Sequence, residues 1–588
     1  MTMMQMLLMA TTSLTPLPDA YLDLDFASNS YRLADAASSY DAAFLGSSPK
    51  LTYTATSNST MVNSSGNLVW APHNFVGYSE DFSQWSASGI TLTSSTATDP
   101  LGGSTASTYS GFSSGTNSRL TEVFTAARNF KCTLAIWLKG TAGETIELEL
   151  DTSGAAENEI TFTGSWQLET ISNDNPTTGR VRIIYRTGNT ADVVSVWGAH
   201  VYRSDLGGMA PVPGAATGFE YYVPTNGAAE YLPRVGHHVY DTTTSAWVNE
   251  GLLIESEART NLRTYSTVPD STNAYRVNAT STSSTETAPD GSTDAVLLTA
   301  TGTSYSNAWD NYNNTYGANL GAEVTYSFWI KAAAATSVTL QQGGESVTYT
   351  FATDSMTTTS GATGHVEHYG NGWVRLGCTA TKTNQFHYWQ VKLDGTTKTA
   401  HVWGVQLEVA STPSSYIPTD GSTVTRDAQT LTVPSSELGW NSSGISLAIE
   451  GRITASDDAE DIMTLSQWKE TNIQRIDTKI RWNGAYQGNV HVLAYNGSSP
   501  YTADEGVGAH SVSDGVLSPY NIAWRHTSST LQSASSGSAI SPAGTPNNGV
   551  VDLSASDMTL GTDYMGTISH VRQWDEDIGE TGIEEASS

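Results

Sequence analysis

Charge is scarce in this sequence, and what there is leans one way. Only 14% of the 588 residues are charged, and 27 Lys and Arg stand against 58 Asp and Glu, a net charge of −31. Such a surface repels the phosphate backbone whose attraction drives nucleic-acid binding, so DNA and RNA are poor candidate partners. The acidic residues are scattered, without a long acidic tail, as on a solvated surface.

Cysteine is nearly absent. Cys132 and Cys378 lie far apart and outside any Cys-x-x-Cys or Cys/His metal spacing, which argues against a disulfide framework or a zinc site and leaves both as small buried apolar residues. Long hydrophobic runs are missing too. The apolar opening Met1-Thr-Met-Met-Gln-Met-Leu-Leu-Met-Ala10 has no basic flank and falls short of the roughly 20 residues a span requires, so neither a signal peptide, a transmembrane helix nor membrane insertion is expected. A place outside the cell would then be reached in an assembled particle or by lysis.

Windows with apolar residues at three- and four-residue spacing are almost absent, so helices should be few and short. In their place Ser, Thr, Gly and Asn crowd the chain, and 16 Trp and 27 Tyr are too many for disorder. Runs such as Cys132–Lys139, Thr145–Leu150 and Val181-Arg-Ile-Ile-Tyr185 cluster β-branched and aromatic residues between polar turns, as strands do. A chain this long exceeds one core, and roughly three to five domains are expected.

An internal repeat organises the middle of the chain. Asn74-Phe-Val-Gly-Tyr-Ser79 corresponds to Asn261-Leu-Arg-Thr-Tyr-Ser266, and Asp99-Pro-Leu-Gly-Gly-Ser104 to Ala288-Pro-Asp-Gly-Ser292. Leu134-Ala-Ile-Trp-Leu-Lys139 corresponds to Tyr326-Ser-Phe-Trp-Ile-Lys331, and Val196-Trp-Gly-Ala-His-Val201 to Val402-Trp-Gly-Val-Gln-Leu407. Shared order and spacing predict two copies of one jelly-roll β-sandwich. The expected architecture is all-β: an N-terminal β region over 1–70, sandwiches over 71–205 and 261–420, a hairpin connector over 206–260, a linker over 421–440 and a last sandwich over 441–588.

The segment Gly251-Leu-Leu-Ile-Glu-Ser-Glu-Ala-Arg-Thr-Asn-Leu262, followed by Trp403-Gly-Val-Gln-Leu-Glu408 and Ser414-Ser-Tyr-Ile-Pro-Thr419, resembles a recurrent bacteriophage and prophage virion structural family of tail-fibre or receptor-binding type. Leu22-Asp-Leu-Asp-Phe26 and Gly66-Asn-Leu-Val69 resemble that family's opening strands. The family pattern has one carbohydrate-binding-like sandwich after its Arg-Thr-Asn-Leu segment, whereas here a diverged copy also precedes it. From Ile445 through Asn521-Ile-Ala-Trp-Arg-His526 to Gly566-Thr-Ile-Ser-His-Val-Arg-Gln-Trp574 the chain is similar to laminin-G and concanavalin-A-like lectin domains. The resemblance implies a virion-surface protein of tail or capsid exterior, made in the host cytoplasm, with other virion proteins as partners and no shared catalytic residues. A homo-oligomer, with a trimer favoured, and attachment to bacterial surface polysaccharide through many weak sites are the corresponding expectations. An architectural decoration or fibre component without sugar binding is the alternative, and a polysaccharide depolymerase a third reading.

Trp309, Tyr312, Tyr316, Trp373 and Trp389 in the second sandwich, and Trp482, Tyr486 and Tyr495 in the last, could stack a pyranose face while polar neighbours bond its hydroxyls. Trp137, Trp197, Trp329 and Trp403, at equivalent repeat positions, are expected in the core instead. Asp457, Asp458, Glu460 and Asp461 are the candidate calcium ligands, against a plain solvated turn; no other cofactor is expected. Gly111-Phe-Ser-Ser-Gly115 matches a nucleophile-elbow pattern but sits in a polar tract with no following helix, so it reads as coincidence. His237-His238 lacks a carboxylate to complete a metal site and reads as part of a surface hairpin. The pairs Asp23/Asp25, Glu147/Glu149 and Glu255/Glu257 lie about 6.5 Å apart along a strand, near glycosidase spacing but also common on solvated strands, so an enzyme is not expected.

Overall fold

In the computed structural model, the described residues are all except 1–16, 46–47, 113–117, 125–129, 151–155, 175–178, 267–277, 303–320, 384–388, 456–461, 482–486, 498–499, 505–509, 511, 513–517 and 540–548. The fold is all-β, and the α-helices among the described residues are the short Tyr40–Phe44 and Gly579–Ala586.

Period-two alternation builds the first sandwich. One five-stranded antiparallel sheet runs in the order Gln167–Asn173, Cys132–Lys139, Val193–Arg203, Ala106–Ser110, Thr91–Ala97. It faces a second, ordered Ala156–Thr161, Thr145–Leu150, Arg180–Ile184, Arg119–Val123, Ser86–Ser88. Leu134, Ile136 and Leu138 alternate toward Ile146, Leu148, Val181 and Ile183 to fill the space between. The second sandwich repeats the plan with a six-stranded sheet centred on Thr399–Glu408 and Glu323–Ala332 and a four-stranded one centred on Glu345–Thr350 and Ser337–Gln342. Tyr326, Phe328 and Ile330 point into that core, while Ser327 and Trp329 point to the other side.

The repeat holds at the level of single bonds. Trp137 pairs with Trp197 and Trp329 with Trp403, and each pairing sits at a register shift. The glycine after the second tryptophan takes a left-handed conformation, φ 64° at Gly198 and 57° at Gly404. A Cβ on Gly198 would lie 2.8 Å from Cε3 of Trp137, and on Gly404 2.7 Å from Cε3 of Trp329, so the Trp-Gly dipeptide is required by the bulge.

The last sandwich is assembled from distant parts of the chain. Its ten-stranded sheet joins Gly444–Ala455, Ser518–Thr527 and Met565–Trp574 to Leu22–Asp25, Ser30–Leu33 and Ala36–Ser38 from the N-terminus and to Leu252–Glu255 from the connector. Thr52–Thr54 and Thr430–Val433 extend its seven-stranded partner. The segments 1–70, 206–260 and 421–440, expected as separate units, therefore lend strands to the C-terminal sandwich. Leu22 and Leu24 are fully buried there, and their pairing covers a sheet edge that would otherwise be open.

A buried ion cluster joins these parts. The Glu255 carboxylate lies 2.7 Å from the Arg234 guanidinium and 3.2 Å from that of Arg426, and it accepts the Ser415 N–H and hydroxyl at 2.9 and 2.6 Å. Arg234 in turn donates to the Thr60 carbonyl and to Gln429. Burial would raise the Glu255 pKa, but the two guanidiniums and Ser415 outweigh it and hold the carboxyl well below its usual range.

Candidate functional site

The tryptophan faces of both tandem sandwiches are closed by their own chain. On the first, Phe219 stacks on Trp137 with ring centres 5.0 Å apart, and Tyr222 packs on Trp197 at 4.8 Å. On the second, Tyr416 packs on Trp329 at 4.8 Å and on Trp403 at 5.1 Å, while the Arg375 guanidinium lies 4.6 Å over Trp329. The four tryptophans are thus structural. Tyr222-Val-Pro-Thr225 and Tyr416-Ile-Pro-Thr419 are equivalent covers: each tyrosine donates its hydroxyl, and each threonine its N–H, to the equivalent Ser79 or Ser266. This fifth landmark is visible in the sequence, but the notional boundary at 205 cut it from its module.

Of the sequence-selected aromatics, Trp373 is buried and donates its indole N–H to the Thr287 carbonyl, and Trp389 is buried in the second core. Neither presents an open ring. Trp309, Tyr312, Tyr316, Trp482 and Tyr486 lie outside the described residues, as do Asp457, Asp458, Glu460, Asp461 and Ser113.

Tyr495 is half-buried on the outward face of the seven-stranded sheet, where the structure builds a polar platform. Along Gln474–Arg481, Ile476 and Ile480 point into the core, which sends Arg475, Asp477 and Lys479 outward. Register places Lys469, Arg475 and Tyr495 in one cross-strand row and Gln467, Asp477 and Leu493 in the next. Asp477, covered by its neighbours, lies 3.0 Å from Arg475 and 3.3 Å from Lys479 and accepts the Gln467 amide at 3.1 Å. The Arg475 guanidinium is thereby held 4.3 Å over the Tyr495 ring. Among the described residues, Arg475 and Lys479 flank the Asp477 carboxylate, and Lys469 lies opposite Arg475 in the neighbouring strand, so three cations share this face. Such a face can bond sugar hydroxyls and pair with a carboxylate, arginine doing so through its fork.

The carboxylate pairs are engaged elsewhere. Asp23 lies 2.7 Å from His570, and Asp25 accepts the Ser28 N–H. Glu149 is buried against Arg182 and Arg186, Glu147 faces Glu159 across the strands, and Glu257 lies 2.7 Å from Arg259. His237 and His238 both line a cleft, because His237 sits in the turn before the strand His238–Asp241 rather than in its alternation. Among the described residues no group of three or more His, Cys, Asp or Glu is arranged to hold a metal ion.

No family model and no curated protein matches the sequence. Among solved structures, the chain is similar to the CBM40 of a Ruminococcus gnavus IT-sialidase bound to α2,6-sialyllactose, at 12% identity over 25% of this chain and 84% of that one, with a TM-score of 0.21. It is similar to TmCBM61 in complex with β-1,4-galactotriose, at 18% identity over 22% of this chain and 98% of that one, TM-score 0.18. The tandem CBM22-1–CBM22-2 of Paenibacillus barcinonensis Xyn10C aligns over 61% of this chain and all of its own length, at 9% identity and a TM-score of 0.20. These likenesses concern the fold.

Proposed function

We propose that the chain is a non-catalytic structural protein of a bacteriophage particle, a tail fibre or spike that attaches to an acidic surface glycan through the outward face of its C-terminal seven-stranded sheet. The observation that carries this reading is the set of Lys469, Arg475 and Lys479 on one sheet face, with Arg475 and Lys479 held by Asp477 and Arg475 lying over Tyr495, on a protein of net charge −31. The virion setting rests on the resemblance of the 251–262 segment. Presentation as a trimer would multiply weak individual contacts into firm adhesion.

The test is binding of the purified full-length protein to two extracted bacterial polysaccharides, one containing uronic acids and one neutral, with Arg475→Ala and Tyr495→Ala alongside. Saturable binding to the acidic polymer that weakens with salt and drops about tenfold in Arg475→Ala is expected. Absence of binding by a folded oligomer would favour a second reading, an architectural component that contacts other virion proteins. The covered tryptophan faces of the tandem sandwiches support that role for the middle of the chain in either case.

A further inference from the structure

A cleft of about 430 Å³ opens where the hairpin of His238–Asp241 and Ala246–Asn249 meets the second and the last sandwich. The hairpin supplies an aromatic wall: the Tyr240 ring sits 5.3 Å from Trp247 and 5.5 Å from His368. Two histidines supply opposite hydrogen-bonding ends. His237 accepts the Val62 N–H on Nδ1 at 3.2 Å, so in the neutral ring its proton is on Nε2, a donor. Burial first, then Arg234 and His238, pushes the His237 pKa down to about 3, and the ring is neutral at physiological pH. His238 has Nδ1 2.8 Å from the Gly236 carbonyl, which can only accept, so in the neutral ring Nε2 carries the lone pair.

The charges around the cleft already have partners. Asp354 accepts the Tyr349 hydroxyl at 2.9 Å, Glu367 lies 3.5 Å from Arg375, Glu250 3.2 Å from Arg452, and Glu255 belongs to the buried cluster. An ionic ligand would have to break one of these pairs. A neutral polyhydroxylated ligand needs only the ring face and the neutral donor and acceptor, and the volume lies within the roughly 300–1,000 Å³ usual for small-molecule pockets, which favour such junctions.

We propose that this cleft is a second binding site, specific for a neutral mono- or disaccharide seated against Tyr240 with hydroxyls bonded to His237 and His238. It is separate from the C-terminal sheet face and stands or falls independently of it. Calorimetric titration of the full-length protein with glucose, galactose, N-acetylglucosamine, rhamnose, lactose, maltose and glucuronate tests it, alongside Tyr240→Ala, Tyr240→Phe, His238→Gln and Arg475→Ala. At least one neutral sugar is expected to bind once per chain with a Kd near or below about 1 mM, losing about tenfold in Tyr240→Ala and His238→Gln and keeping its affinity in Tyr240→Phe and Arg475→Ala. If Tyr240→Ala does not fold, as judged by its melting curve, His238→Gln decides: weaker binding supports the site and unchanged binding overturns it. The proposal is also overturned if no neutral sugar binds at tens of millimolar, if glucuronate binds more tightly than all of them, or if only Arg475→Ala abolishes binding.

Discussion

Asn74 and Asn261 make the same four hydrogen bonds in the two tandem sandwiches. Asn74 donates to the Ala199 and Val223 carbonyls and accepts the Val76 and Val201 N–H groups, while Asn261 donates to Val405 and Ile417 and accepts from Arg263 and Leu407. One buried amide thus ties the entry of each module to its last long strand and to the tyrosine cover over its tryptophans.

Replacing Asn261 by Ala leaves those backbone groups buried without partners and is expected to cost roughly 3–6 kcal/mol of stability in the second sandwich. Denaturant unfolding should show the loss, and limited proteolysis should show cleavage within 412–419 appearing first. Unchanged unfolding and cleavage would contradict the role given to this amide.

The bulge glycine makes a sharper demand. Gly404→Ala places a methyl against the Trp329 ring at a left-handed backbone position and should destabilise by about 2 kcal/mol or more, with altered tryptophan fluorescence. Gly102→Ala, also left-handed but with open space around it, should cost only the backbone strain. Equal losses in the two variants would rule out the packing argument.

Glu255→Gln strands two buried guanidiniums and is expected to cost about 3–5 kcal/mol near neutral pH. Because the folded pKa lies below the usual 4.5, the carboxylate's contribution is present above that value and is lost as pH falls below it. Stability curves of wild type and variant, measured against pH, should therefore converge in acid.

Asp290 works in the opposite sense. Burial first, then Asp294, raises its pKa from 3.8 to about 6, so the folded state holds a proton that the unfolded state releases, and stability falls as pH rises through that interval. Asp290→Asn keeps the acceptor for the Ser292 N–H and should stabilise at pH 7 by up to about 3 kcal/mol, with no gain below about pH 4. A variant whose advantage did not depend on pH would point to another cause.

Local pattern in the sequence determined the strands, the shortage of helix and the pairing of repeat landmarks, because side-chain alternation and Trp-Gly bulges are properties of neighbouring residues. It also placed Trp137, Trp197, Trp329 and Trp403 inside, since equivalent positions in two copies share one environment. Tyr495 stood out by type, but its partners Arg475, Asp477 and Lys479 did not, because their convergence depends on register between adjacent strands. Trp373 and Trp389 stood out equally and are buried, a matter of which sheet covers them.

Only the tertiary structure decided that Leu22–Asp25 and Leu252–Glu255 both pair with Met565–Trp574, that Glu255 meets Arg234 and Arg426, and that His237 and His238 face one cleft with Tyr240. The physical reason is the same in each case. A strand carries its hydrophobic face in its own sequence, but which edge it joins is settled by the burial and hydrogen bonding of the assembled whole, across separations that no local pattern encodes.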